Sequence, residues 1–349
     1  MATIKRRAPF RALVLSSILF LWLTGAGTVL QHAVAEERAL TVYTALMEPE
    51  AMVYARAFEN RTGIKVGIVR KSTGVMLSLL RLEKDHPVAD VLFGGPADAY
   101  VLGAAEGLFE QYKSYGRSGI PATYMDQHGF WTGVYLGSIG FAVNSCRLRA
   151  LGVSPPTSWR ELLSPRLRGE ISMANPVSSG TGYTVLATLA QLMGEERAFD
   201  YLKTLDANVA AYTSSGAMPG KLVGLGQVAV GILFSHDILA FRQQGYDIDL
   251  IFPAEGTGFE IGGIAIVKGT RRLDEARTFV DFMVGVDGQN LYAAMGEFRI
   301  PTNRLAVIPR GAVPFSRINV IDYDVTWAAL HKQALLDRWN SIAGGRGGE

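Results

Sequence analysis

Short apolar runs rich in β-branched residues alternate along the chain with longer segments whose apolar positions recur at helical spacing. Strands are predicted at LTVYTA (40–45), IKVGIVR (64–70) and ADVLFGG (89–95). Helices are predicted directly after them, in EPEAMVYARAFENRTG, GVMLSLLRLEKD and PADAYVLGAAEG. Because parallel strands are joined by crossover helices, this alternation predicts an α/β fold with a parallel sheet covered by helices.

The same alternation resumes after a long extended run, GFWTGVYLGSIGFAVNS (129–145). Further strands are predicted at EISMANP, QVAVGILF and IDLIFP, and a second extended segment, FEIGGIAIVKGT, occupies residues 259–270. The remainder, from Arg272, has a helical pattern. We therefore predict two α/β lobes between which the chain crosses twice. Lobe 1 comprises residues 36–137 and 265–349, and lobe 2 comprises residues 138–264.

The N-terminal segment has the pattern of a secretory signal peptide. Basic residues between Lys5 and Arg11 precede an uncharged run, 12–30, and Ala33-Val34-Ala35 supplies small residues ahead of a cleavage site before Glu36. We therefore expect residues 1–35 to be removed on export and the protein to reside in the periplasm. A retained membrane anchor is the alternative, since 19 uncharged residues nearly span a bilayer.

Charge and cysteine content narrow the class of protein. Without residues 1–35 the count of lysine plus arginine falls from 34 to 30, against 32 acidic residues. A nucleic-acid partner is not expected, because such binding normally needs a clustered basic surface. Cys146 is the single cysteine of the chain, so no internal disulfide can form and stability must come from the burial of a core.

Small and hydroxylated residues follow the three predicted strands of the first series. Thr44, Ser72, Thr73 and Gly95 all lie at these strand ends. In open parallel sheets ligands bind beyond the carboxyl ends of the strands, so these residues are candidates for one shared binding site. Ordinary capping of the helices that follow is the alternative for each residue taken singly.

A second set of candidates lies in two hydroxyl-rich segments, NPVSSGTGYT (175–184) and TSSGA (213–217). The candidate residues are Ser179, Gly180, Thr181, Ser214 and Ser215. Helix N-termini present free N–H groups and the positive end of the helix dipole, and glycine lets a phosphate approach the backbone closely. The first segment lacks the G-K-[ST] ending of a nucleotide-binding P-loop. These features favour a small phosphorylated anion.

These motifs, in this order, resemble the class II solute-binding proteins of ABC importers, a family that includes ferric-iron, phosphonate and sugar-phosphate binders. The resemblance is carried by LTVYTA, F-x-x-x-T-G-I-K-V (58–66), ADVLFGG, NPVSSGTGYT and GGIAIVKG. It implies two α/β lobes joined by two hinge strands, with the ligand in the cleft between them. It also implies a monomer without a cofactor that delivers its solute to a membrane permease with an ATPase.

The resemblance also bears on the ligand. Ferric-iron members of the family carry two adjacent tyrosines at the place where this chain has Ser235-His236-Asp237, and no Tyr-Tyr pair occurs in the sequence. Sugar-phosphate members hold the sugar with a His-Asp pair and a downstream Glu, which correspond here to His236, Asp237 and Glu260. A sugar phosphate is therefore the preferred ligand, an aminoalkylphosphonate the second and ferric iron the third. A structural or helix-capping role for His236 and Asp237 stays open.

Two other classes of function are considered. An exported phosphatase-type hydrolase would need a nucleophile beside a base or a metal cluster, but the chain lacks G-x-S-x-G and H-E-x-x-H. We therefore predict no enzymatic activity and no metal site. A sensory protein that reports its ligand to a membrane receptor would share the fold.

Overall fold

The computed structural model describes residues 39–343, so the predicted signal peptide lies outside the described residues. The strands are β1 (Leu40–Thr44), β2 (Val66–Arg70), β3 (Val91–Pro96), β4 (Thr132–Val143), β5 (Ile171–Ala174), β6 (Val209–Thr213), β7 (Val230–Phe234), β8 (Asp249–Ile251), β9 (Phe259–Ile266) and β10 (Ile300–Pro301). The helices are α1 (Glu48–Thr62), α2 (Thr73–Leu82), α3 (Ala97–Ala105), α4 (Ser145–Ala150), α5 (Gly180–Met193), α6 (Glu195–Asp206), α7 (Met218–Gly224), α8 (Ser235–Gln243), α9 (Leu273–Val284), α10 (Val286–Ala294), α11 (Val325–Leu330) and α12 (Lys332–Ala343).

The strands follow the order β2-β1-β3-β9-β4-β7-β5-β6, and β8 and β10 also pair with β4. At one end β1 pairs in parallel with β2 and β3, and at the other β5 pairs in parallel with β6 and β7. Between them β9 and β4 run antiparallel to their neighbours. The predicted α/β fold with parallel strands joined by helices is confirmed. Parallel neighbours need a long crossover connection, and the helices between these strands provide it.

The two long extended segments of the sequence are the strands at the centre of this order. Residues 132–138 of β4 pair with β9, and residues 139–143 pair with β7. One unbroken strand therefore takes part in both halves of the sheet. All twelve residues of β4 are buried, which agrees with its near-continuous apolar sequence.

Two large apolar cores lie on the two halves. The first packs α1, β3 and α9 together, with Phe58 and Phe279 edge to face at 5.0 Å between ring centroids. The second surrounds Trp159, whose ring meets Phe141 edge to face at 4.9 Å. Each lobe therefore has a core of its own, the arrangement expected of a two-lobed fold.

The C-terminal helix α12 packs on the second core, although the sequence interpretation assigned residues 265–349 to lobe 1. Trp339 is buried against the ring of Tyr212, with centroids 5.2 Å apart, and Arg338 pairs with Glu196 on α6. The apolar face of α12 determines this placement, because Leu335 and Trp339 must both leave water. The other lobe boundaries remain a prediction. Within residues 39–343 the helices are all too short or too polar to cross a membrane.

Candidate functional site

A cavity of about 40 Å³ lies where the ends of β2, β3, β5 and β7 converge. Nine of the predicted site residues line it: Ser72, Thr73, Gly95, Ser179, Gly180, Thr181, His236, Asp237 and Glu260. They come from both halves of the sheet, so the cavity lies between the two lobes. The location agrees with the rule that ligands of open parallel sheets bind beyond the carboxyl ends of the strands.

The N-termini of α2 and α5 form part of the cavity wall, which we call the donor end. Ser72 and Ser179 occupy the N-cap positions of α2 and α5. Ser179 Oγ accepts a hydrogen bond from the N–H of Gly182 at 3.4 Å, whereas Ser72 Oγ donates to the carbonyl of Ser214 at 2.6 Å. Both helices direct the positive ends of their dipoles towards the cavity, an environment that suits an anion.

Glycines allow the two lobes to meet closely at the donor end. A Cβ on Gly95, whose φ is +84°, would lie 2.4 Å from Thr73 Oγ1. On Gly180 it would lie 2.6 Å from Pro96 Cδ, and on Gly216 it would lie 2.0 Å from Thr181 Oγ1. Only glycine fits at these positions without displacing the hydroxyls of Thr73 and Thr181.

The other three predicted residues, Thr44, Ser214 and Ser215, do not line the cavity. Thr44 is fully buried and its Oγ1 accepts a hydrogen bond from the N–H of Leu46, so it shapes the turn after β1. Ser214 and Ser215 face residues of the first lobe: Ser215 Oγ accepts from Arg70 Nη2 at 3.0 Å. These two serines therefore belong to contacts between the lobes and not to the cavity wall.

A second group of lining residues, which we call the carboxylate end, consists of His236, Asp237 and Glu260. His236 Nε2 lies 3.6 Å from Asp237 Oδ1 and 3.5 Å from Glu260 Oε1. The imidazole stacks on Phe234, and Gly137 of β4 leaves room for it, because a Cβ there would lie 2.3 Å from Nδ1. The N-cap of α8 is Phe234 and makes no side-chain cap, so His236 and Asp237 do not cap this helix.

Sequence reasoning missed two arginines and a tyrosine that also line the cavity, namely Arg70, Arg299 and Tyr135. Arg70 ends β2, directly before Lys71, so the same argument from strand ends could have found it. Arg299 lies in the segment GEFRIPTN, where no periodicity or motif marks it. Tyr135 lies inside β4, away from the strand ends that guided the sequence argument, and its hydroxyl accepts a hydrogen bond from the N–H of Gly95 at 3.0 Å.

The buried charges perturb one another. Burial raises the pKa of Glu260 well above its usual range and that of Asp237 to about 6, while the positive charge of Arg299 partly opposes both effects. Burial, followed by the charge of Arg299, lowers the pKa of His236 well below its usual value, so the imidazole is neutral. Within residues 39–343, groups of three or more His, Cys, Asp or Glu side chains arranged to hold a metal ion are absent.

Known proteins are similar to this chain in both sequence and fold. The sequence model of a family described as bacterial extracellular solute-binding protein matches residues 86–324. An uncharacterized protein of Haemophilus influenzae is 35% identical over 325 residues, which are 91% of this chain and 94% of the relative. A periplasmic protein of Salmonella paratyphi A, named for 2-aminoethylphosphonate binding, is 26% identical over 67% of this chain and 68% of its own.

A solved structure extends the likeness to three dimensions. The periplasmic binding protein AfuA from Actinobacillus pleuropneumoniae, with fructose 6-phosphate bound, superposes with a TM-score of 0.85. It is 35% identical, and the match covers 88% of this chain and 99% of that one. Two lobes, a cleft lined by strand ends and these sequence matches lead to one conclusion: the chain belongs to the bacterial extracellular solute-binding proteins, and within them to the class II periplasmic binding proteins of ABC importers.

Proposed function

We propose that this protein captures a phosphorylated small molecule, with a sugar phosphate favoured, and delivers it to a membrane permease. The observation that carries the proposal is that two groups of side chains line the cavity, one of hydroxyls at helix starts and the other of a histidine and carboxylates in contact with one another. A sugar phosphate has the complementary division, because its phosphate only accepts hydrogen bonds at neutral pH while its hydroxyls can donate them.

The donor end supports binding of the phosphate. The side chains of Ser72, Thr73, Ser179 and Thr181 offer hydroxyls there, and the first turns of α2 and α5 offer free backbone N–H groups. Arg70 lines the same cavity and can pair with a phosphate oxygen. Together these groups can balance a dianion without a metal ion.

The carboxylate end supports binding of the sugar. Asp237 and Glu260 can accept hydrogen bonds from hydroxyls, and the neutral imidazole of His236 can donate or accept. The related protein AfuA is described with fructose 6-phosphate bound, which agrees with this assignment. The present cavity of about 40 Å³ has room for only a few water molecules, so the complex requires a wider cleft than this conformation has.

An aminoalkylphosphonate is the second candidate, and one observation favours it. Three carboxylates, those of Glu50, Asp237 and Glu260, are buried within or beside the carboxylate end. A protonated amine would stabilise the ionised forms of these carboxyl groups, which burial disfavours, whereas a sugar hydroxyl carries no charge that could do so. The name of the Salmonella relative points in the same direction.

The remaining parts of the proposal follow from the family. Export through the predicted signal peptide would place the protein in the periplasm as a monomer, where it meets the permease and ATPase of its importer. The bound molecule would leave unchanged, so no catalytic activity is expected.

The test is a binding titration of the purified protein with matched compounds. We expect fructose 6-phosphate or glucose 6-phosphate to bind, and to raise the free energy of unfolding by about 2.7 kcal/mol at 100 times the dissociation constant. Fructose lacks the phosphate group and inorganic phosphate lacks the sugar, so each should bind far more weakly. Binding of 2-aminoethylphosphonate or Fe(III) without binding of any hexose phosphate would overturn the preferred ligand. Release of inorganic phosphate from glucose 6-phosphate would indicate a hydrolase instead.

A further inference from the structure

Arg299 is a buried cation at the carboxylate end, with 4% of its surface exposed. Its Nη1 pairs with both Glu50 on α1 and Glu297, and its Nη2 lies 3.6 Å from Asp237 Oδ1. The guanidinium also lies 5.0 Å from the centre of the Tyr135 ring. It therefore joins the first lobe, through Glu50, to α8 of the second, through Asp237.

We propose that Arg299 is a positioning residue whose charge favours the ionised form of Asp237, a hydrogen-bond acceptor, and so selects a ligand that presents donors at this end. The inference rests on the proposed function, because it assumes that the ligand reaches Asp237 and Glu260. It assigns no direct contact between Arg299 and the ligand.

The pairing of Arg299 argues against a role as a phosphate ligand. One of its terminal nitrogens already serves two carboxylates, and the other faces a third. Its positive charge is therefore outnumbered by the negative charges around it, and an incoming phosphate would be repelled. A hydroxyl or an ammonium group meets no such repulsion. The carboxylate end therefore accepts a hydrogen-bond donor of the ligand in preference to its phosphate.

The charged groups that surround Asp237 come from several elements. They are His236 on α8, Glu260 on β9, Arg299, Glu297, Glu50 on α1 and Arg70 on β2. Burial raises the pKa of Asp237, the positive charge of Arg299 lowers it, the negative charge of Glu297 raises it and the charge of Arg70 lowers it. Arg299 likewise lowers the pKa of Glu260 against the effect of burial. Loss of the guanidinium would thus leave both carboxyls protonated at higher pH.

The experiment measures the dissociation constant of fructose 6-phosphate between pH 5 and pH 8.5 for the wild type and four variants. With Arg299→Gln, we expect the pH at which affinity falls on acidification to rise by about one pH unit or more. Arg299→Lys keeps a positive charge and should leave this pH near the wild-type value. Arg304→Gln, at an exposed arginine of the same segment, is the matched control and should behave as the wild type.

Glu297→Gln should shift the pH at which affinity falls in the opposite direction. It therefore tests the proposal even where the Arg299 variants fold poorly. It removes a negative charge beside Asp237, so the affinity should persist to lower pH than in the wild type. Unchanged midpoints in both Arg299→Gln and Glu297→Gln, or an equal loss of affinity at every pH, would overturn the role of Arg299. A wild-type protein that binds no phosphorylated compound would instead refute the proposed function.

Discussion

At the scale of single residues, the candidate site is built at the expense of stability. Asp237 is buried beside Glu260 and His236, and Arg299 opposes only part of the cost of its burial. The carboxyl group of Asp237 therefore keeps its proton up to a higher pH in the folded protein than in the unfolded chain. Groups that bind ligands are often held in such unfavourable surroundings, since a complementary ligand can relieve them.

Replacement of Asp237 by Asn should stabilise the protein at neutral pH. The pKa of Asp237 rises from 3.8 to about 6, so its burial costs the fold nothing below pH 3.8, an increasing amount up to pH 6, and a constant amount above it. We expect Asp237→Asn to raise the free energy of unfolding at pH 7.5 by up to about 3 kcal/mol, and to have little effect near pH 4. Thermal unfolding at both pH values measures this difference.

Asp85→Asn is the control, because Asp85 is exposed. It should change the melting temperature little at either pH. A lower melting temperature for Asp237→Asn at pH 7.5 would show that the ion pair with Arg299 outweighs the cost of burial. The same variant should weaken binding of the proposed ligand, because an amide offers that ligand one acceptor oxygen fewer.

At the scale of elements, the local sequence predicted the donor end well. The segment NPVSSGTGYT places a capping serine and small residues at a helix start, and α5 does begin at Gly180 with Ser179 as its N-cap. Gly63 ends α1 in the left-handed conformation, as its position after the helical pattern indicates. The carboxylate end was harder to predict. Arg299 and Glu50 are separated by 249 residues, and only the packing of α1 against the later part of the chain brings them together.

Gly180 provides a test of how closely the two lobes meet. In Gly180→Ala, the new methyl group would lie 2.6 Å from Pro96 Cδ and 2.8 Å from Thr73 Oγ1, both on the first lobe. We expect affinity for the proposed ligand to fall by about tenfold or more, because the methyl group would displace Thr73 and Pro96, which line the donor end where the phosphate is proposed to bind. The melting temperature should change little, since alanine is a good helix former. Isothermal titration calorimetry and thermal unfolding separate the two effects.

Gly67→Ala is the matched control for this change. Its Cβ would meet Ala39 Cβ at 3.8 Å, an ordinary contact within the first lobe and away from the cavity. It should therefore bind like the wild type. Unchanged affinity in Gly180→Ala would mean that the bound state does not need the close approach seen here.

At the scale of the whole molecule, the hydrophobic pattern predicted the two-lobed fold but not the course of the C-terminus. The helical pattern after Arg272 indicates helices without indicating which core they cover. Trp339 and Leu335 bury their side chains on the second core, while Lys332 at the start of α12 forms a buried ion pair with Asp98 of α3, at 2.7 Å. Such a choice depends on the shapes of two distant surfaces, which local periodicity does not contain.

Trp339 provides a test of this assignment. We expect Trp339→Ala to lower the free energy of unfolding by about 3 to 5 kcal/mol, because it removes a large buried side chain. The loss of protection in amide hydrogen exchange should be greatest in α6 and β6, which flank the helix, and smaller in α1 and β1. Leu330→Ala, at an exposed leucine, is the control. Equal loss of protection in α1 and β1 would place α12 with the first lobe instead.

The unbroken strand β4 gives the two ends of the cavity different parts in solute capture. His236 packs on Gly137 of β4 and lies beside Glu260 of β9, so the carboxylate end rests on the two long strands that join the lobes. The contacts of Ser72 and Arg70 with Ser214 and Ser215 join segments that follow other strands. If the lobes turn about these two strands, groups that lie on the strands move least. On the proposed function, a sugar phosphate would therefore meet a nearly constant surface for its sugar, and its phosphate would be enclosed last, when the N-termini of α2 and α5 come together.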